Sequence, residues 1–194
     1  MPIPKHVLEN SPRGPAHIGW LSGAVEFAWA AHAGQVRKYT GEPYICHPLT
    51  VADMVGRAGG AHTQIIAAIL HDVVEDTPVT VSEVAANFGP RVAELVEWLT
   101  DTATGNRAER QAASVEKWSR APLAAVTVKL ADLIDNTRSI ARHDRRFARV
   151  YIPEKRAVLE AMTPTATWSK TAASLSRMAW KTIEEAEEMI RDRY

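Results

Sequence analysis

Apolar residues recur along most of the chain at spacings of three and four, and period-two alternation over a strand length is nearly absent, so the pattern predicts an all-α protein. From Leu21 to Ala33 the residues Ala, Val, Phe and Trp repeat at helical spacing until Gly34, and Gly34, Gly41 and Pro43 make 34–46 a polar loop. Pro48 suits a first helical position and Gly59-Gly60 stop the pattern, which gives a second helix over 48–58 with His47 just ahead of it. A third helix is predicted over 63–75. Thr80 and Glu83 form a capping-box pair that opens a short helix; Phe88-Gly89-Pro90 closes it and opens the next, through Trp98. The polar stretch 101–106 contains Gly105 and reads as the most mobile loop, before a charged helix over about 108–119. Pro122 starts a long apolar helix. Val126-Thr127-Val128 is β-branched, but Lys129, Asp132, Ile134 and Asn136 keep helical spacing, so the segment is assigned to that helix. Pro153 and Pro164 divide the remainder into a short helix, a middle helix and a long C-terminal one from about Thr167 to Asp192, carrying Trp168 and Trp180.

At 194 residues, 46% apolar and 24% charged, the chain is sized for one globular domain with at most an appended helix. The expected division is an N-terminal extension over 1–20, a domain over 21–162, and a C-terminal helix over 163–194 that packs on the domain or on a partner subunit of a homo-oligomer. Lys plus Arg and Asp plus Glu number 23 each, so no bulk basic field exists to hold nucleic acid or an anionic membrane, and any phosphate-binding surface must be local. Cys46 is the only cysteine, which excludes an internal disulfide. The longest unbroken apolar run, 65–70, is far too short to span a bilayer, and Glu9, Pro12 and Gly14 stand where a signal peptide needs its apolar centre. A cytoplasmic location is expected.

The third helix ends abruptly: the core run IIAAIL leads directly into His71-Asp72 and then, past two valines, into Glu75-Asp76. On a helix these four ionisable groups crowd one small volume. Burying them without a counter-charge is costly, and a divalent cation supplies one. His71-Asp72 offers one nitrogen and one oxygen ligand; His47, and Asp132 inside the apolar run VTVKLADLI, are the candidates for the rest. Taken singly, each of these residues has a plain structural explanation as a helix cap, a loop end or a hydrogen-bonded core group. Two imidazoles and two carboxylates together neutralise a divalent ion, and such an ion polarises phosphorus and acidifies water.

The series AHAGQVRKYTGEPYICHP (31–48), AAILHDVVEDT (67–77), FGPRVAELVEWLTD (88–101) and VKLADLIDNTRSI (128–140) closely resembles the HD-domain alarmone hydrolases. These comprise the hydrolase half of the RelA/SpoT homologues and the free-standing small alarmone hydrolases, including the metazoan SpoT homologue. The resemblance covers about 20–160 and no synthetase-like segment follows, so the free-standing kind is expected. The resemblance implies an HD-domain helical bundle with manganese held between core helices by His47, His71, Asp72 and Asp132. It also implies an acidic pair, Glu75 and Asp76, that activates or positions water, a nucleotide-contacting basic pair, Arg37 and Lys38, and an asparagine near the nucleoside, Asn136. The implied reaction is hydrolysis of the 3′-diphosphate of ppGpp or pppGpp to GDP or GTP and pyrophosphate.

The residue chemistry suits these assignments. Arg37 can stack on a purine or grip phosphate bidentately, whereas Lys38 is a point charge. Lys129, Asp132 and Asn136 share one helical stripe, so Lys129 either faces phosphate or snorkels from the core, while Arg138 lies off the stripe and is assigned a structural part. A carboxylate near the ion, Glu75 or Asp76, can take the proton of a water or protonate a leaving group. His32 is expected to pack beneath the site, and Cys46 to be a small buried neighbour of His47 with no base to activate it. Two regions depart from the family pattern. Between Thr100 and Ala121, where the family often presents extra Lys or Arg to the phosphates, Arg107 and Arg110 are the candidates, and beyond Asp144 the candidates are Arg146 and Tyr151, with Arg149 and Lys155 nearby. Two other functions stay open: an HD phosphohydrolase acting on another nucleotide, such as (p)ppApp or NADPH, and a non-catalytic nucleotide-sensing scaffold.

Overall fold

A computed structural model describes residues 15–162 and 168–191, and the regular elements among them are all helices. They are α1 (Pro15–Ala31), α2 (Cys46–Arg57), α3 (His62–Leu70), α4 (Val73–Asp76), α5 (Val81–Phe88), α6 (Pro90–Leu99), α7 (Arg107–Ser119), α8 (Leu123–His143), α9 (Arg145–Met162) and α10 (Lys170–Arg191). None of these helices is long and apolar enough to cross a membrane.

The long apolar run makes α8 the hub of the core. Ala125, Val126, Val128, Leu130, Ala131, Leu133 and Ile134 are all buried, and α2, α3, α6, α9 and α10 pack around it. Each fully buried Leu or Ile contributes about 1.5–3 kcal/mol, so this packing holds the helix that carries Asp132 rigidly in place. The apolar face of α10, with Leu175, Ala179 and Ile183, closes over α8 and α9. Between α1 and α2 the chain forms a tight excursion. An isolated antiparallel bridge joins Val36 and Pro43, and Gly34 and Gly41 adopt positive φ of 81° and 72°, a conformation that favours glycine.

Four boundaries differ from the sequence pattern. The helix predicted from Leu21 begins at Pro15; Gly19 and Gly23 had diluted its apolar signal. The second helix begins at Cys46, so Pro48 occupies its first turn, where no N–H is needed, and His47 lies inside the helix rather than before it. The third helix does not run unbroken to Glu75. It stops at Leu70; the His71 side chain bonds the Ala68 carbonyl at 2.8 Å, Asp72 flattens to φ −98°, ψ −5°, and a separate turn, α4, carries the acidic pair. Finally, Pro153 does not break α9. It sits on the exposed side of that helix, where water can satisfy the carbonyl left without its amide partner. The predicted break at Pro164 and the predicted helix ends at Thr167 and Asp192 lie outside the described residues.

Candidate metal centre

Three segments converge beneath the 32–45 excursion. His47 comes from the first turn of α2, His71 and Asp72 from the α3–α4 junction, and Asp132 from the middle of α8. His47, His71 and Asp132 are 2%, 3% and 5% exposed, and one donor atom from each lies within 4.8 Å of the others. Asp132 Oδ1 stands 3.2 Å from His47 Nε2 and 3.7 Å from His71 Nε2. Asp72 Oδ2 stands 3.0 Å from His71 Nε2 and 3.7 Å from His47 Nε2.

Both imidazoles are turned the same way by their outer nitrogens. His71 Nδ1 faces the Ala68 carbonyl at 2.8 Å and His47 Nδ1 faces Asp135 Oδ2 at 2.6 Å. These acceptors assign the ring proton to Nδ1, which leaves the Nε2 lone pairs pointing at carboxylate oxygens. His71 Nε2 is buried without a hydrogen bond. Lone pairs facing lone pairs repel unless a proton or cation lies between them, so the donor set fits a divalent cation.

Without that cation protons take its part. Burial alone lowers an imidazole pKa, but Asp72 and Asp132 around His71, and Asp132 and Asp135 around His47, hold both above the ordinary histidine value. Burial pushes Asp132 upward, yet Lys129 and the two imidazoles hold it well below the usual carboxylate range. Because a ligand imidazole must be neutral and the surrounding carboxylates favour its protonated form, cation uptake is expected to release protons, and apparent affinity to fall as pH drops through the raised imidazole values. Calorimetry in two buffers of different ionisation enthalpy measures the release; uptake with no proton released contradicts this electrostatic picture.

Outer contacts fix the ligands. Asp72 Oδ2 accepts the Tyr44 hydroxyl at 2.7 Å, Asp132 Oδ2 accepts Lys129 Nζ at 2.7 Å, and Asp132 Oδ1 accepts Asn136 Nδ2 at 2.6 Å. Lys129 therefore joins the site, and its Nζ also stands over the Trp118 ring, 5.6 Å from the ring centroid. Tyr44 and Asp135 were not found from sequence. Their signals are spacing alone: each lies three residues from a ligand, Tyr44 before His47 and Asp135 after Asp132.

The acidic pair lies at the mouth of this centre. Glu75 Oε2 accepts the Asp101 backbone N–H at 2.7 Å, and the Asp76 carbonyl accepts Gln35 Nε2 at 2.9 Å. Although both residues are exposed, protein packed about each carboxyl and the negative charge of Asp72 raise both pKa values. His32 is buried beneath, bonded to Gln35 Oε1 at 2.8 Å and 4.8 Å ring-to-ring from Tyr44. Cys46 is exposed, not buried: one residue along the helix from His47, it turns about 100° away and lines a surface cavity.

Cavities flank the centre on two sides. One of 290 Å³ is lined by Arg37, His47, Asp135, Arg138, Arg142 and His143. Arg138, assigned a structural part from its place off the stripe, is instead exposed and borders this open space. On the other side a 270 Å³ cavity, with Lys117, Lys129 and Lys155, adjoins one of 260 Å³ with Arg107, Arg110 and Tyr151. Burial lowers the pKa of both Lys117 and Lys155. Arg37 and Asn136 stand at the centre, with Arg37 Nη2 3.1 Å from Asp135 Oδ2. Tyr151 is buried, and that burial raises its hydroxyl pKa. Lys38 points away, three-quarters exposed and 3.9 Å from Asp144, and Arg146 is exposed on α9. Arg107 is engaged by Glu154 through two hydrogen bonds of 2.6 and 2.9 Å.

A body whose described elements are all helices, and which brings together two buried histidines, a buried aspartate and the half-buried Asp72, defines a class of helical proteins fitted to hold a divalent cation. The chain belongs to the HD-domain family, whose model matches residues 24–158. It is 41% identical over 125 residues to the human guanosine-3′,5′-bis(diphosphate) 3′-pyrophosphohydrolase MESH1, a match that covers 63% of this chain and 70% of that protein. It is also 41% identical over 129 residues to the guanosine-3′,5′-bis(diphosphate) 3′-pyrophosphohydrolase of Aquifex aeolicus, where the match covers 65% of this chain and 18% of the relative. The chain thus spans less than a fifth of that relative. Among solved structures, that of a metazoan orthologue of SpoT that hydrolyses ppGpp superposes with a TM-score of 0.75 at 26% identity, covering 86% of this chain and 94% of the other. The Listeria monocytogenes protein lmo0812 gives 0.61 at 29% identity, over 74% and 99%.

Proposed function

We propose that the protein hydrolyses the 3′-diphosphate of ppGpp or pppGpp to GDP or GTP and pyrophosphate, with Mn²⁺ held by His47, His71, Asp72 and Asp132. The observation that carries this proposal is the position of the buried centre between two cation-lined cavities, one with Arg37, Arg138 and Arg142 and the other with Lys117, Lys129 and Lys155. A nucleotide with phosphate groups at two ends matches that arrangement, and the activity named for the human and Aquifex relatives is on such a nucleotide.

When bound, the ion supplies Lewis acidity at phosphorus and lowers the pKa of water. The chain's own residues do the rest. Glu75, fixed by the Asp101 N–H, takes the proton of the attacking water, and Asp76, held through Gln35, orients that water. Water oxygen adds to the phosphorus attached to the ribose 3′-oxygen, the bond between them breaks, and the 3′-oxygen gains a proton. Lys129, Lys117 and Lys155 hold the departing diphosphate, with Tyr151 lining the adjoining cavity, while Arg37 and Asn136 hold the nucleoside side. The same role is proposed for the exposed Lys38 and Arg146 only by long-range attraction of the anion.

Purified protein with Mn²⁺ is expected to convert ppGpp to GDP and pyrophosphate in equal amounts, to lose activity with a chelator and to regain it with added Mn²⁺. Retained metal with intact ppGpp, or faster turnover of ppApp or NADPH in the same assay, contradicts the proposed substrate.

A further inference from the structure

One guanidinium is tied to two of the metal ligands. Arg37 Nη2 donates to Asp135 Oδ2 at 3.1 Å, and the same oxygen accepts His47 Nδ1–H at 2.6 Å. Arg37 Nη1 lies 3.5 Å from Asn136 Oδ1, at the outer limit of a hydrogen bond, and Asn136 Nδ2 donates to Asp132 Oδ1 at 2.6 Å. His47 Nε2 and Asp132 Oδ1 are 3.2 Å apart. The contacts therefore close a ring, Arg37–Asp135–His47–Asp132–Asn136, assembled from the 32–45 excursion, α2 and α8. The Arg37 side chain is 16% exposed and lines the 290 Å³ cavity, so its guanidinium meets the ring on one side and open space on the other.

We propose that Asp135 is a positioning residue for His47 and that, by sharing one oxygen between His47 and Arg37, it makes the strength of the metal centre depend on what Arg37 is bound to. The inference rests on the metal reading of the site given above. A carboxylate behind a ligand imidazole fixes its tautomer and rotation and strengthens the opposite nitrogen as a donor. A second cation on the same oxygen draws charge away from the imidazole. An anionic group entering the cavity competes for the guanidinium, because phosphate and carboxylate bind it by the same bidentate geometry. As Arg37 turns to the anion, Oδ2 is left to His47 alone and His47 becomes the stronger ligand. Reciprocity then requires that a bound cation favour release of Arg37 to the anion. Nucleotide and metal thus reinforce one another through Asp135.

The test is the Mn²⁺ dissociation constant of the full chain, measured by electron paramagnetic resonance, in a cycle of Asp135→Asn, Arg37→Gln and both. Asp135→Asn is expected to weaken binding by about tenfold or more. Arg37→Gln is expected to tighten it by about two- to fivefold, the scale of one partly exposed ion pair. In the double variant the gain should vanish, since no charged oxygen remains to be released. A simple through-space charge effect predicts that the gain persists on Asp135→Asn, and that result overturns the proposal, as does unchanged or weaker binding in Arg37→Gln. A second measurement does not need Asp135→Asn to fold: the proton resonance of His47 Nδ1–H should move downfield in Arg37→Gln as its acceptor is freed, and no movement counts against the shared oxygen. Failure of the unaltered chain to bind Mn²⁺ at all removes the metal centre and this inference together, whereas binding with an additive cycle removes the inference alone.

Discussion

Asp132→Ala is expected to eliminate both metal binding and turnover and to destabilise the metal-free fold by about 3 kcal/mol, the scale of breaking a buried ion pair. Asp132 is where the centre meets the core. Its Oδ1 faces both imidazoles and accepts from Asn136, and its Oδ2 holds the Lys129 ammonium at 2.7 Å. Removing the carboxylate strands a mostly buried lysine and takes away the anion shared by the two histidines. Partial exposure of Lys129, at 23% of its side chain, puts the loss at the low end of the range for such pairs. Thermal unfolding with and without Mn²⁺ separates the effects. At a hundredfold excess over its dissociation constant, bound Mn²⁺ is expected to stabilise the unaltered protein by about 2.7 kcal/mol. The variant should start from a lower midpoint and show no shift on adding metal. One equivalent of tightly bound Mn²⁺ in Asp132→Ala would remove this carboxylate from the ligand set.

What could be read in the chain depended on contrast. His71-Asp72 after IIAAIL and Asp132 within VTVKLADLI are ionisable residues set in apolar runs, so their types and positions announce a purpose. The helical class follows from the same periodicity, and the regular elements among the described residues are all helices. Tyr44 and Asp135 were invisible for the opposite reason. They sit in polar surroundings where such residues are ordinary, and only the folded positions of α2 and α8 bring them against Asp72 and His47. The break at His71 was hidden because its cause is a hydrogen bond from a side chain to the Ala68 carbonyl, which leaves no mark on periodicity. Pro153 misled because its effect depends on which face of the helix it occupies. Lys117, Lys129 and Lys155 come from three helices, so their convergence on one cavity is a tertiary fact with no counterpart in spacing.

Glu75→Gln is expected to lower kcat by about 10²–10⁴-fold, the usual contribution of a positioned general base, while Mn²⁺ affinity and nucleotide binding stay close to their original values. The separation follows from where the residue is placed. Glu75 stands on α4, one turn beyond the ligand pair, and the structure anchors it through the Asp101 N–H rather than through the histidines. A glutamine amide keeps an oxygen for that N–H, so the local geometry survives and only the capacity to take a proton is lost. The pH profile supplies an independent sign. Protein around the Glu75 carboxyl and the charges of Asp72 and Asp76 raise its pKa above that of an ordinary glutamate. A base must be unprotonated to act, so kcat in the unaltered protein should rise with pH through this raised value, and that limb should disappear in Glu75→Gln. Asp76→Asn provides the comparison, since the two carboxylates share the mouth of the site but only Glu75 is held by Asp101. Should Asp76→Asn erase the limb and Glu75→Gln leave it intact, the proton passes to Asp76, and Glu75 serves to hold the 101–106 loop against the centre.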